Sequence, residues 1–162
     1  IKIILKNKVK IIGGSLKGRF IHFSNLPMIR PTSSQIKETL FNWLNQNLDN
    51  KNCLDLFCGS GSLGLEAISR NAKSVYFIDR NDKVCKNLKK NMQIFNVKNT
   101  IVLKRDVLNF VNDCKIKFDI VFVDPPYECD IINKLLDILE NILNKKARIY
   151  IESNKFETLP EN

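Results

Sequence analysis

Cys53-Leu-Asp55-Leu-Phe57-Cys-Gly59-Ser-Gly61-Ser-Leu-Gly64 opens as a short apolar run, breaks at glycines, and continues into Leu65-Glu66-Ala67-Ile68. A strand that turns through glycines into a helix starts a βαβ unit, and the alternation repeats downstream. Apolar runs predict strands at Cys53–Phe57, Ser74–Asp79, Thr100–Lys104, Phe118–Asp124 and Ala147–Glu152. Amphipathic spacing predicts helices near 62–70, 82–96, 106–113 and 129–144. Val84, Leu88, Met92 and Phe95 form one face of the second helix, and Ile131, Leu135, Ile138, Leu139 and Ile142 one face of the last. Strands alternating with helices imply right-handed crossovers and an α/β, doubly wound, mostly parallel sheet covered on both faces.

Upstream, Val9–Ile12 and Arg19–Phe23 read as strands of a small hairpin around Gly13-Gly-Ser-Leu-Lys-Gly18. Thr32-Ser-Ser-Gln35 matches a capping box. Ile36, Leu40, Phe41, Leu44 and Leu48 follow at helical spacing, with Trp43 expected to pack on the same helix, which should end near Asp49-Asn50. The chain thus divides into a basic N-terminal hairpin extension, residues 1–31, and a larger α/β unit, residues 32–162.

Ligands of open parallel sheets bind beyond the carboxyl ends of the strands, where the strand order reverses. In this chain those ends carry chemistry. The first strand runs into the glycines, the second ends at Asp79, the third is followed by Asp106, and the fourth ends at Asp124. Gly59-Ser-Gly61-Ser-Leu-Gly64 fits G-x-G-x-x-G, with Asp79 twenty residues past Gly59. Glycines admit a ligand close to the backbone, the helix N-terminus offers N–H groups to an anion, and the acid takes ribose hydroxyls. A plain strand-to-helix turn needs the same glycines. NAD and S-adenosylmethionine (AdoMet) both present an adenosine and an anionic group. Asp55 inside the strand, and Asp106 placed to accept an adenine amine, favour AdoMet.

Asp124-Pro125-Pro126-Tyr127 adds a second element. An acid and a proline carbonyl, held by two rings of preset φ, can both accept hydrogen bonds from one amine, and the tyrosine offers a stacking face. That is a pocket for an exocyclic amine on a planar ring, although prolines also simply end strands.

Charge is uneven. Residues 1–37 hold eight basic residues and no acid, whereas the remaining 18 basic residues share the chain with all 17 acids, so +8 of the net +9 lies in the first quarter. Lys8, Lys10, Lys17, Arg19 and Arg30 are interleaved with apolar residues, as in a folded footprint for a polyanion rather than a solvated tail. No apolar run approaches the roughly 18 residues that span a bilayer, and the N-terminus lacks a signal-peptide pattern. We therefore expect a cytoplasmic protein without membrane contact. Five cysteines without a Cys-x-x-Cys pair imply reduced thiols and no metal site. His22 reads as a surface residue, and Cys58 and Cys129 as small packed thiols. Glu66 is placed either to reach a ligand amine or to form a helix salt bridge.

Asp55-Leu-Phe-Cys-Gly-Ser-Gly-Ser-Leu-Gly-Leu-Glu66-Ala and Asp124-Pro-Pro-Tyr127 resemble the AdoMet-dependent amino methyltransferases, with their Rossmann-like fold. Ile11-Ile-Gly-Gly-Ser-Leu-Lys-Gly-Arg19, Arg30-Pro-Thr32 and Glu38-Thr-Leu-Phe-Asn-Trp-Leu44 resemble, more narrowly, the bacterial 16S rRNA (guanine-N2) methyltransferases that modify guanine 966. The similarity runs from about residue 9 to about 153. It implies a cofactor site of Asp55, Phe57, Gly59, Gly61, Asp79, Arg80, Asp106 and Val107, with Asp79 on the ribose and Asp106 on the adenine. It implies catalysis by Asp124, Pro125 and Tyr127, RNA contacts from Pro126, Lys8, Lys10, Lys17, Arg19 and Arg30, and no metal. The substrate it implies is 16S rRNA, free or in a small-subunit assembly particle, taken by a monomer. The family continues through a closing strand pair, so with Asn162 as the last residue the fifth strand is expected to be an open edge. The competing readings are an amino methyltransferase for DNA adenine or protein glutamine, and a non-catalytic RNA-binding protein of the same fold. A dinucleotide oxidoreductase stands further off.

Overall fold

The computed structural model describes residues 8–23, 29–126 and 130–153. β1 (Lys8–Lys10) and β2 (Phe20–His22) pair antiparallel as a separate ribbon, and α1 (Ser34–Trp43) leads into the main sheet. Along the chain follow β3 (Asn52–Leu56), α2 (Ser62–Ser69), β4 (Ser74–Asp79), α3 (Asp82–Phe95) and β5 (Thr100–Lys104). They are succeeded by α4 (Val107–Asp113), β6 (Phe118–Val123), α5 (Ile131–Leu139), a 3-10 turn (Glu140–Ile142) and β7 (Leu143–Ile151). The five-stranded sheet has order β5-β4-β3-β6-β7 and every neighbouring pair is parallel. The chain winds outward from β3 to β5 and then resumes on the other side at β6, so the order reverses between β3 and β6.

Both faces are covered. Leu40 and Phe41 of α1, Leu65 and Ile68 of α2, and Val84, Leu88 and Met92 of α3 pack with Val9, Ile11 and Ile21 of the ribbon region on one face. Phe110 and Val111 of α4 and Leu135 and Leu139 of α5 pack on the other. The two central strands are accordingly mostly apolar, as strands buried on both faces must be; two acids are set among them, buried Asp55 in β3 and half-buried Asp119 near the start of β6. No helix among the described residues is long and apolar enough to cross a membrane.

Several boundaries differ from the sequence reading. Ser33, not Thr32, caps α1, accepting a bond from the Ile36 N–H at 3.2 Å, while Thr32 is buried. The helix is also rotated from the face its apolar residues suggest: Trp43 is 70% exposed and Ile36 39%, whereas Lys37 is fully buried. The cause is a partner that periodicity does not reveal. Glu66 on α2, also fully buried, accepts from Lys37 Nζ at 3.3 Å, Arg70 Nη2 at 3.1 Å and the Gly13 N–H at 2.8 Å. Of the two roles open to Glu66, the structure assigns the salt bridge. The last helix stops at Leu139, and β7 starts four residues before Ala147. A bulge between the Phe118–Leu143 and Ile120–Arg148 pairs, with Lys146 at φ 64°, absorbs the polar Asn144–Lys146 stretch that hid the strand's beginning.

Glu66→Ala would leave Lys37 and Arg70 as buried cations without a carboxylate. Breaking a buried pair in this way costs about 3–5 kcal/mol, so denaturant unfolding should show a loss of that size. Wild-type stability in the variant would show that the network does not hold the fold.

Candidate active site

The carboxyl ends of the strands meet at one crevice. Leu56 pairs with Val123 and with Ile78, so the residues that follow (Phe57, Asp124 and Asp79) leave the sheet at the same level. Phe57, half-buried, adopts φ 57°, a conformation uncommon for a residue with a Cβ. That twist ends β3 and starts the glycine turn. Gly59 and Gly61 follow at φ 52° and 75°, and a Cβ on Gly61 would stand 2.5 Å from Leu88 Cδ1.

The acids are placed by main-chain bonds. Asp79 Oδ2 accepts from the Gly59 N–H at 3.2 Å, and its Oδ1 from the Asn81 N–H at 2.9 Å, which ties the end of β4 to the turn. Arg80 beside it is exposed. Asp106 is exposed and caps α4 by accepting from the Asn109 N–H at 3.0 Å, so the helix begins one residue later than its predicted start at 106. Val107 is buried in the second core, where its side chain serves packing. Asp55 is buried and its Oδ2 accepts from the Gly64 N–H at 2.9 Å. Burial pushes the Asp55 carboxyl well above the usual carboxylate range; the Gly64 bond opposes this, and the charges of Asp124 and Asp79 add to it. A Cβ on Gly64 would fall 2.2 Å from the Phe77 ring and 3.0 Å from that Oδ2. Only glycine allows α2 to sit this close to the sheet.

Asp124 is half-buried and accepts no hydrogen bond among the described residues. Its carboxyl is pushed up to about 6, first by burial and then by the Glu152 charge. Glu152 was missed by the sequence reading. Its N–H donates to Val123 O at 2.9 Å, which sets it beside Asp124, and its Oε2 accepts from Tyr150 Oη at 3.4 Å. The signal was there, since the fifth predicted strand also ended in an acid. Pro125 is half-buried and Pro126 exposed, while Tyr127 and Cys129 lie outside the described residues. The Cys58 thiol is buried and pushed up by that burial, as a packing residue would be.

The basic residues expected to meet RNA divide in their surroundings. Lys8 and Lys10 project from the ribbon, Lys17 lies on the turn, and Arg30 is exposed. Arg19 lies over the Phe95 ring, 4.6 Å from its centroid, and donates to Ile94 O at 3.2 Å. A polar cleft of about 600 Å³ runs between Gly13, Gly14 and Lys17 and the α1 residues Ser34, Gln35 and Glu38. It reaches Arg70 at the C-terminal end of α2, a helix of eight residues and so about 12 Å from the glycine turn. The cleft is therefore separate from the strand-end crevice.

A family model described as Conserved hypothetical protein 95 matches residues 9–162. Over 161 residues the chain is 42% identical to the Ribosomal RNA small subunit methyltransferase D of Buchnera aphidicola, covering 96% of this chain and 84% of that one. The Haemophilus influenzae protein of the same name is 39% identical over 165 residues, covering 97% and 86%. Among solved structures, a putative methyltransferase from Escherichia coli superposes with a TM-score of 0.85 at 37% identity, over 96% of this chain and 87% of that chain. The chain belongs to the small-subunit ribosomal RNA methyltransferase D family.

The fold is the Rossmann-like fold of that family, whose cofactor is AdoMet. The crevice fits such a molecule on its own chemistry. No side chain caps the N-terminus of α2, and in its first turn Ser62 Oγ is buried without a hydrogen-bond partner among the described residues. Uncapped N–H groups and an unused hydroxyl suit a carboxylate. Asp79 and Asp106 at neighbouring strand ends suit hydroxyls and an amine.

The raised pKa of Asp124 has a signed consequence for stability. In the fold the carboxyl keeps its proton up to about pH 6, whereas the unfolded chain loses it near 3.9. Its contribution is full below about pH 4 and is lost as pH rises through 6. Asp124→Asn, always neutral, should match the wild type in thermal midpoint at pH 4 and exceed it at pH 7.5. A midpoint difference that stays constant across this range would refute the burial of Asp124 beside Glu152.

Proposed function

We propose that this protein transfers a methyl group from AdoMet to the exocyclic N2 amine of a guanine in small-subunit ribosomal RNA. The observation that carries this reading is the common crevice. Asp124 and the glycine turn leave adjacent parallel strands at one level, and the Asp124 charge is felt at Asp55, which bonds the start of α2. The names of the relatives support an RNA substrate, and the basic ribbon region supports a polyanion.

The lone pair of guanine N2 is delocalised into the ring, so the amine is a weak nucleophile. The Asp124 carboxylate and the Pro125 carbonyl accept its two hydrogens, which localises the lone pair on nitrogen. Tyr127 stacks on the base, a contact worth about 1–3 kcal/mol, and Pro126 lies against it. Bound AdoMet would supply the electrophilic methyl: the N–C bond forms as the S–C bond breaks, the thioether leaves, and N2 gives up one proton to Asp124 or to solvent. Asp79 holds the ribose hydroxyls, with Arg80 beside it, and Asp106 the adenine amine, with the Val107 main chain beside that. The turn of Gly59 and Gly61, with Asp55 and Phe57 behind it, faces the methionine end. Fixed placement supplies up to about 7–11 kcal/mol of the barrier reduction, and the carboxylate aimed at the developing charge supplies the rest. The target guanine has to leave its stack to enter. Lys8, Lys10, Lys17, Arg19 and Arg30 hold flanking phosphates. The protein acts as a monomer in the cytoplasm, on free RNA or on an assembling particle.

Labelled AdoMet incubated with small-subunit RNA and with DNA, followed by nucleoside analysis, tests the substrate; label in DNA alone, or in a nucleoside other than N2-methylguanosine, overturns the reading. Asp124→Ala should abolish transfer while AdoMet binding measured by calorimetry stays within about threefold. Because the ionised form of Asp124 is the strong acceptor for its share of the amine hydrogens, kcat/KM should rise with pH up to about 6 and then level. Retained transfer in the variant, or activity that falls across that range, would remove Asp124 from the mechanism.

A further inference from the structure

We infer that the outer face of the β1–β2 ribbon is a stacking platform for an unpaired stretch of RNA, with Phe20 as the ring on which a base lies. This rests on the proposal that RNA is the substrate, and it assigns a residue that neither the charge pattern nor the strand-end site includes.

The ribbon alternates strictly. Val9 and Ile21 point inward and are buried, while Lys8, Lys10, Phe20 and His22 point outward and are exposed. Phe20 is 38% exposed on a face where a strand normally carries polar residues. Lys10 pairs directly across from Phe20, and Lys8 across from His22. The two amines lie 4.6 Å (Lys8) and 6.0 Å (Lys10) from the centroid of the ring. Neither forms an ion pair among the described residues. Lys8 lies over the ring face, so a base that stacks on Phe20 takes the place of this amine; two cations without an ion-pair partner among the described residues are matched by a strand that draws the amines to its phosphates and brings a base to the ring.

The face is also rigidly mounted. The His22 N–H donates to Asn91 Oδ1 at 3.0 Å, and His22 O accepts from Asn91 Nδ2 at 2.7 Å and Asn87 Nδ2 at 3.0 Å. Arg19, on Phe95 and Ile94 O, fastens the start of β2 to the far end of α3. A platform held at both ends loses little freedom on binding. The ring further selects the form of the RNA. In an A-form duplex the faces of the bases are hidden in the stack, so a protein meets phosphates and 2′-hydroxyls; only an unpaired base offers its face to a side chain.

The test is equilibrium binding by the full chain of a single-stranded small-subunit RNA fragment and of a fully paired duplex of the same sequence. AdoMet affinity serves as the control for folding. Phe20→Leu, which keeps apolar bulk and removes the π face, should weaken the single strand about fivefold or more and change the duplex less than about twofold. Phe20→Tyr should bind both as the wild type does. Lys8→Gln with Lys10→Gln should weaken both RNAs and lower the slope of log K against log salt by about 0.7–0.9 per charge. The inference falls if Phe20→Leu binds the single strand as tightly as wild type, if it weakens both RNAs equally, or if Phe20→Tyr fails to restore binding. Methyl transfer to RNA by the wild type is read separately. Transfer present with Phe20→Leu unaffected defeats the platform alone, whereas no transfer to any RNA defeats the proposed function.

Discussion

A single buried carboxylate fastens three parts of this chain that are far apart in sequence. Glu66 accepts from the Ile12 and Gly13 N–H groups, from Lys37 Nζ and from Nε and Nη2 of Arg70, so that the ribbon region, α1 and α2 share one electrostatic centre. Lys37 is also tied to Lys10 O, and the Arg70 guanidinium lies 4.7 Å from the Phe41 ring centroid. Removing ions from water is costly, and a well-packed apolar cluster of the same volume often serves stability as well. What apolar packing would not supply is direction. Five donors converging on two oxygens permit one arrangement of the segments, whereas greasy surfaces slide. Burial depresses the Lys37 pKa more than the Glu66 charge raises it.

The same contact explains the glycine pair before the hairpin turn. A Cβ on Gly14, at φ 73°, would lie 1.7 Å from Ser69 O, and one on Gly13 2.3 Å from Arg70 Nη2. With glycines there, the turn sits directly on the last turn of α2, and the Ser15 and Leu16 N–H groups donate to Ser69 O and Ser69 Oγ at 2.7 and 2.9 Å. The opposite end of α2 starts at Gly61 and is bonded through Gly64 to Asp55 in the sheet. One short helix therefore carries the ribbon at its C-terminus and the strand-end crevice at its N-terminus. Residues proposed to grip RNA and residues proposed to hold AdoMet are mounted on the same rigid piece.

Much of this was legible in the residues because it follows from local rules. The βαβ order, the glycine turn, and the acids at strand ends depend on periodicity and on which residues tolerate unusual backbone angles, and each was found where expected. What escaped were features set by partners distant in sequence. Nothing around Lys37 announces Glu66, 29 residues on; of the apolar residues expected to pack, Leu40, Phe41, Leu44 and Leu48 are buried, whereas Ile36 and Trp43 are exposed and Lys37 takes a place in the interior. The start of β7 is hidden because a bulge lets polar residues run along the outermost described strand. Thr32 and Ser33 are both competent caps, and only the burial of Thr32 decides between them. Glu152 became a neighbour of Asp124 through strand pairing rather than through any local motif.

That pairing has a chemical meaning for the crevice. Asp55, Asp79, Asp124 and Glu152 bring four acids to adjacent strand ends, in a protein whose net charge is +9. Crowded carboxylates repel, and the fold handles the repulsion unequally. Asp79 is given two N–H donors. Burial raises the Asp55 carboxyl above the usual carboxylate range, while Asp124 is left without a donor among the described residues and raised to about 6. A carboxylate kept short of hydrogen bonds, ionised only a little above its own pKa, is a better acceptor than one already satisfied. An amine presented there gains two acceptors and relieves a desolvated charge at once. The proposed division of the substrate, with phosphates on the basic ribbon and a neutral base at Asp124, follows this distribution of charge.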